Sequence, residues 1–159
     1  MRGLTLIMVL GLLMSGCASQ GPMKKAHGLM TETELFDPIF ISSLGENSSE
    51  EVIYKKPASN VSEGGPGFSV ISDALVVTDQ GIYFVRWNTY NYSFVHKINI
   101  PLSGVRGVDV LKRKQPWIGT TGADVIVKTA QDINYKFRIY DGSEDMAVKA
   151  IDDQLDGQF

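Results

Sequence analysis

Much of the chain alternates between apolar and polar residues in the way that antiparallel strands do. The clearest stretch is 125–140, where the runs 125–129 and 133–140 place apolar residues at every second position around the connection Ala130-Gln131-Asp132. Successive side chains of a strand point to opposite faces, so this pattern predicts a hairpin with one buried face and one solvated face.

The same alternation, or a short apolar run, predicts further strands earlier in the chain. We place them at 51–55, 74–78, 82–87, 92–100 and 108–111. Asp79-Gln80-Gly81 joins two of them as a hairpin, with glycine supplying the left-handed position. The strand 92–100 is predicted to carry Phe94, His96, Ile98 and Ile100 on one face. Pro57 to Gly67 is rich in Gly, Ser and Pro and is predicted to be a long mobile loop.

A helix is predicted on each side of these strands. Thr31-Glu32-Thr33-Glu34 has the form of a capping box, which predicts a short helix through Phe36 that Pro38 ends. Ser143 is predicted to cap the second helix. Its apolar residues recur at three-and-four spacing, which is typical of a helix with one buried stripe: Ala147, Ala150, Ile151 and Leu155.

The order of these elements predicts the fold class. Strands in a row followed by one helix exclude repeated strand–helix units and thus an open parallel sheet. We therefore expect a mainly β (α+β) domain: a curled sheet of six to seven antiparallel strands, followed by a C-terminal amphipathic helix that covers an otherwise exposed edge.

Composition narrows the class of protein. The chain has 159 residues, enough for one domain, and a formal net charge of −3, which argues against wholesale nucleic-acid binding. A single cysteine excludes an intrachain disulfide and a Cys-rich zinc site.

The first residues are predicted to be a targeting segment. Arg2 provides a positive start, and the apolar run Leu4 to Met14 is about eleven residues long, whereas a membrane-spanning helix needs about 20. Such a run followed by small residues is typical of a signal peptide. We therefore assign residues 1–16 to the signal.

The end of that segment, Met14-Ser15-Gly16-Cys17, resembles the lipobox of bacterial lipoproteins, with Met14 where Leu is usual. The resemblance implies cleavage before Cys17 and acylation of that cysteine by chains such as palmitate, so that a covalent lipid is the only cofactor expected. Ala18 stands where Asp would signal inner-membrane retention. This implies a lipid anchor in the bacterial cell envelope, in the periplasmic leaflet of the outer membrane.

These predictions divide the chain into four segments. After the signal at 1–16 we expect a lipidated Cys and flexible tether at 17–30, then a short helix and loop at 31–49, then a β domain with its C-terminal helix at 50–157. The β domain contains the runs Glu51-Val52-Ile53, Ala74 to Phe84 and Ile100 to Val105, followed by the last hairpin and helix. In these segments it resembles the bacterial pleckstrin-homology/GRAM-like family. The resemblance implies a six- to seven-stranded antiparallel, partly open PH-like barrel capped by the C-terminal amphipathic helix.

Catalytic and metal-binding motifs are not found in the sequence. His27 falls in the predicted tether and His96 within a strand. Gly-x-Ser-x-Gly and His-Glu-x-x-His are not present. The adjacent carboxylates Glu50-Glu51 are interpreted as solvated. We therefore expect no enzyme and no metal site.

Two surface features are candidates for binding. The first is a basic cluster beside an aromatic residue: Arg106, Lys112, Arg113, Lys114 and Trp117. It is a possible binding patch for anionic lipid headgroups or an acidic partner, or else an ordinary solvated loop. The second is Trp87, Tyr90 and Tyr92 around a predicted hairpin tip, which form either a contact patch or cross-strand pairs.

These features favour a membrane-anchored, non-enzymatic interaction or scaffold module that faces the periplasm and binds an unidentified envelope protein. The alternative is a lipid- or small-ligand-binding module that uses the PH-like domain and its basic loop. A cell-wall hydrolase would require a carboxylate pair or triad that the sequence does not show.

Overall fold

The structure is a computed structural model that describes residues 21–23, 30–61, 73–113 and 122–157. In these ranges two α-helices flank the strands: α1 (Phe36–Leu44) and α2 (Glu144–Asp156). The strands are β1 (Val52–Asn60), β2 (Asp73–Thr78), β3 (Gly81–Asn88), β4 (Ser93–Pro101), β5 (Val105–Arg113), β6 (Gly122–Thr129) and β7 (Asn134–Ile139). Three-residue 3₁₀ helices lie at Gly21–Met23, Met30–Glu32 and Leu102–Gly104.

All seven strands belong to one antiparallel sheet, in the order β4-β3-β2-β1-β7-β6-β5. β1 joins the two halves, because Val52 to Pro57 pair with β2 and Ala58 to Asn60 pair with β7. Within the described residues β4 and β5 each pair on one side only, so the sheet is open. The predicted mainly β fold with a C-terminal helix is confirmed.

The main core lies between the two halves of the sheet and α2. Its strand residues include Leu75, Val77, Ile82, Phe84, Val125, Val127, Phe137 and Ile139. α2 contributes Ala147, Ala150 and Ile151, with Leu155 packed beside them. The predicted helical stripe is therefore confirmed. Ser143 immediately precedes α2, but its hydroxyl donates to Asp141 Oδ1 instead of capping the helix.

A second core, which the sequence pattern did not predict, covers the opposite face of β2, β3 and β4. There α1 packs Phe36 and Phe40 onto Val76 and Val85, together with Met23 and Met30 from the preceding segment. Every residue of β2 is buried because both of its faces are covered. Of the predicted tether the structure describes Gly21–Met23 and Met30, and here Met23 is fully buried.

The predicted bounds of the first helix and first strand are wrong. α1 begins at Phe36 and continues through Pro38, which a first turn tolerates because its N–H has no intrahelical partner. Thr31 lies in a 3₁₀ helix instead of a capping box. β1 continues through Pro57, where a loop is predicted. Proline fits there because β1 exchanges β2 for β7 as its partner at that point. The rest of that loop, 62–67, lies outside the described residues.

β4 contains a bulge that changes the predicted face of His96. Phe84 pairs with Ile98, but the next residue, Val85, pairs with His96, so Lys97 is an extra residue. Phe94 and His96, which precede the bulge, therefore face α1, whereas Ile98 and Ile100 face the main core. The prediction that His96 shares a face with Ile98 and Ile100 is wrong for this reason.

Candidate functional site

The structure describes the side chains of two of the five residues in the predicted basic patch. Arg106 and Lys112 lie six residues apart on β5, which corresponds to about 20 Å along the strand. Arg106 Nη1 donates to Asp132 Oδ1 at 3.0 Å, and Lys112 Nζ lies 3.8 Å from Asp145 Oδ2 in the first turn of α2. The structure thus separates Arg106 from Lys112 and gives each a carboxylate partner. The Arg113 side chain, Lys114 and Trp117 lie outside the described residues, as do Cys17 and His27.

The predicted aromatic group at the β3–β4 hairpin divides into a packed part and an exposed part. Trp87 is buried, and its ring centroid lies 5.2 Å from that of Phe94 and 6.4 Å from that of Tyr92. Tyr90, at the tip of the turn, is 96% exposed. Cross-strand packing therefore accounts for Trp87 but not for Tyr90.

Five polar side chains meet between α1 and the sheet, and we call them the α1–sheet polar cluster: Ser43, Glu50, Thr78, Tyr83 and His96. Tyr83 Oη donates to both carboxylate oxygens of Glu50, at 2.9 and 3.0 Å. Thr78 Oγ1 donates to Glu50 Oε2 at 2.6 Å. His96 Nε2 lies 2.8 Å from Ser43 Oγ.

Glu50 has a structural role that sequence reasoning missed. The sequence predicts a solvated carboxylate, yet Glu50 accepts hydrogen bonds from Thr78 of β2 and Tyr83 of β3. Burial of Tyr83 and its hydrogen bond to Glu50 raise the pKa of the phenol above its usual range. Tyr83 therefore keeps its proton and remains a donor to Glu50 across the ordinary pH range.

The Ser43–His96 contact resembles a nucleophile and its base, but the hydrogen-bond directions are the reverse of those that catalysis requires. Ser43 Oγ donates its one hydrogen to the Phe40 carbonyl at 2.6 Å. The Nε2 atom of His96 therefore donates to Ser43, whereas a general base must accept the hydroxyl proton. The geometry assigns this pair to fastening α1 onto β4.

We expect the stability of the domain to depend on the ionisation of His96. Burial lowers the pKa of His96 below the ordinary value of 6.5, with Glu50 opposing the shift. The unfolded chain then binds a proton that the folded chain does not, so the free energy of unfolding should fall as the pH drops through that value. Urea denaturation between pH 7.5 and 5.5 measures the effect.

Replacing His96 separates its contribution to the pH dependence of the free energy of unfolding from that of the carboxylates. His96→Gln should flatten the dependence on pH over this range, whereas His27→Gln should retain it. An unchanged pH dependence in His96→Gln would mean that His96 is not the responsible group.

Comparison with known proteins does not identify a family. No protein-family model matches the chain. No curated protein matches it significantly.

In the described part of the chain, no group of three or more His, Cys, Asp or Glu side chains is arranged to hold a metal ion. None of the helices in that part is long and apolar enough to span a bilayer.

Proposed function

We propose that this chain is a lipoprotein of the bacterial cell envelope, anchored through Cys17 in the periplasmic leaflet of the outer membrane. Its β domain acts as a non-enzymatic interaction or scaffold module that faces the periplasm. The positive start, the short apolar run and the lipobox-like Met14-Ser15-Gly16-Cys17 support the anchor. The resemblance to pleckstrin-homology/GRAM-like domains is compatible with a binding module.

The observation that carries the proposal is the lipobox-like cysteine directly after the short apolar run. The burial of Met23 adds how near the domain is to it: this residue follows Cys17 by six positions, and its side chain is fully enclosed with Phe36 and Phe40 in the second core. A lipid on Cys17 would hold the domain close to the membrane surface.

Two further observations support an interaction module over an enzyme. The Ser43–His96 pair has hydrogen-bond directions that suit packing and not nucleophilic attack. Among the described residues β5 is a nine-residue strand that pairs on one side only, and such an edge is where a partner can add a strand. Lipid binding by the basic residues has weaker support, because Lys112 and Arg106 are each beside a carboxylate.

Replacing Cys17 tests the anchor. Cys17→Ser should move the protein from the membrane fraction to the soluble fraction and abolish incorporation of a clickable palmitate analogue, because the serine cannot form the thioether. Stable attachment requires two or more acyl chains, so release should be nearly complete. Ser103→Ala, at an exposed position of the domain, serves as the control and should fractionate like the natural chain.

The partner class is tested by crosslinking in intact envelopes followed by pull-down of the lipidated chain. A defined protein that is recovered with the natural chain supports the interaction module. Recovery of lipid alone would favour the ligand-binding alternative and contradict the proposed role.

A further inference from the structure

The first described residues of the chain lie against the tip of the β3–β4 hairpin. A Cβ atom built on Gly21 would approach two ring carbons of Tyr92 to 2.2 Å, so the Gly21 backbone lies directly on this ring. Gly21 also has a φ of +67°, which favours glycine. The first described residue of the chain therefore lies at this hairpin tip.

The position of Gly21 limits how far the Cys17 anchor can be from the hairpin tip. Cys17 precedes Gly21 by four residues, and consecutive Cα atoms are 3.8 Å apart, so their Cα atoms are within about 15 Å of each other. The other end of β3, at the turn Asp79-Gln80, lies about 23 Å farther along the strand. A lipid on Cys17 thus brings the hairpin tip, and not the opposite turn, close to the bilayer.

The chemistry of the tip suits the boundary between lipid and water. Asn88, Thr89, Tyr90, Asn91 and Tyr92 contain no charged side chain. The Asn88 side chain accepts a hydrogen bond from the Tyr90 N–H at 2.9 Å, which shapes the turn and leaves Tyr90 96% exposed. Tyrosine is enriched at membrane interfaces because its ring is apolar and its hydroxyl is polar.

We propose that the β3–β4 tip, Asn88–Tyr92, contacts the lipid–water interface of the bilayer that holds the anchor, with Tyr90 inserted at the level of the headgroups. The inference rests on the proposed lipidation of Cys17 and adds the orientation of the domain on the membrane. β5, with Lys112, is then not the surface that contacts lipid.

Position-specific quenching in vesicles tests the orientation. The thiol of Cys17 is consumed by the lipid, so Tyr90→Cys in the lipidated chain provides a single reactive thiol for a fluorophore. The labelled protein is reconstituted in vesicles of phosphatidylethanolamine and phosphatidylglycerol that contain a headgroup nitroxide lipid. Gln80→Cys, at an exposed position of the opposite turn, is the matched control. Lys112→Cys reports on the rival basic surface.

We expect loss of fluorescence at position 90 on reconstitution, and no loss at position 80 or 112. Equal quenching at 90 and 80, or stronger quenching at 112, overturns the inference while leaving the anchor intact. Failure of the natural chain to float with the vesicles would contradict the proposed anchor itself, and the orientation with it. Since Tyr90 and Gln80 are both exposed, neither substitution should disturb the fold.

Discussion

The Phe40→Ala variant is expected to lose about 3–5 kcal/mol of its free energy of unfolding. Phe40 is fully buried and its ring contacts those of Phe36, Tyr83, Phe94 and His96. Truncation therefore removes apolar contacts and leaves a cavity between α1 and the sheet. Such a loss is a large fraction of the 5–15 kcal/mol that typically stabilises a domain. Urea denaturation measures it directly.

A surface variant provides the control for Phe40→Ala. Met146 lies on α2 and is 64% exposed, so Met146→Ala should change the free energy of unfolding by no more than about 0.5 kcal/mol. Should Phe40→Ala be as mild as Met146→Ala, then α1 does not pack on the sheet as described and the second core is wrong.

The second large effect is expected at a buried ion pair between β6 and β7. Asp124 is fully buried, and Arg138 donates to it through Nε at 2.8 Å and Nη2 at 3.3 Å. Arg138→Met removes the bidentate cation and leaves a buried carboxylate, which should cost about 3–5 kcal/mol. The double variant Asp124→Asn with Arg138→Met should recover part of this loss, because the buried negative charge is then absent as well.

The exposed pair Lys149–Asp153 on α2 is the comparison for that buried pair. Its side chains are 73% and 55% exposed, so Lys149→Met should cost at most about 0.5 kcal/mol. Equal losses in Lys149→Met and Arg138→Met would show that the burial of Asp124 has no energetic consequence, contrary to our account.

Elements whose signal is local were predictable from the sequence. The β6–β7 hairpin follows from strict alternation on both sides of a short turn, and α2 follows from apolar residues at helical spacing. Both patterns report directly which face is buried. The count of strands and the class of fold followed from these elements and their order.

Features that depend on distant partners were not predictable. The sequence around Pro38 contains breakers of regular structure, yet α1 forms because Phe36 and Phe40 find an apolar face on β2 and β3. The bulge at Lys97 inverts the face of His96 although the alternation in β4 appears unbroken. In both places tertiary packing determines a structure that the local pattern does not specify.

The same distinction between local patterns and distant partners explains which site residues the sequence could predict. The basic candidates lie close together in the chain, yet Arg106 and Lys112 have separate partners. The α1–sheet polar cluster joins residues far apart in the chain: Ser43 and His96 are separated by 53 positions. Single-sequence reasoning has no signal for such a pairing. Such a partly buried polar cluster becomes recognisable only when the packing of α1 is known.

The anchor on Cys17 is the central claim, and mass spectrometry of the amino-terminal peptide from protein purified out of membranes tests it most directly. We expect a peptide that begins at Cys17 and carries the mass of two or three acyl chains. A peptide that retains Met1, or one that contains an unmodified Cys17, would contradict the account.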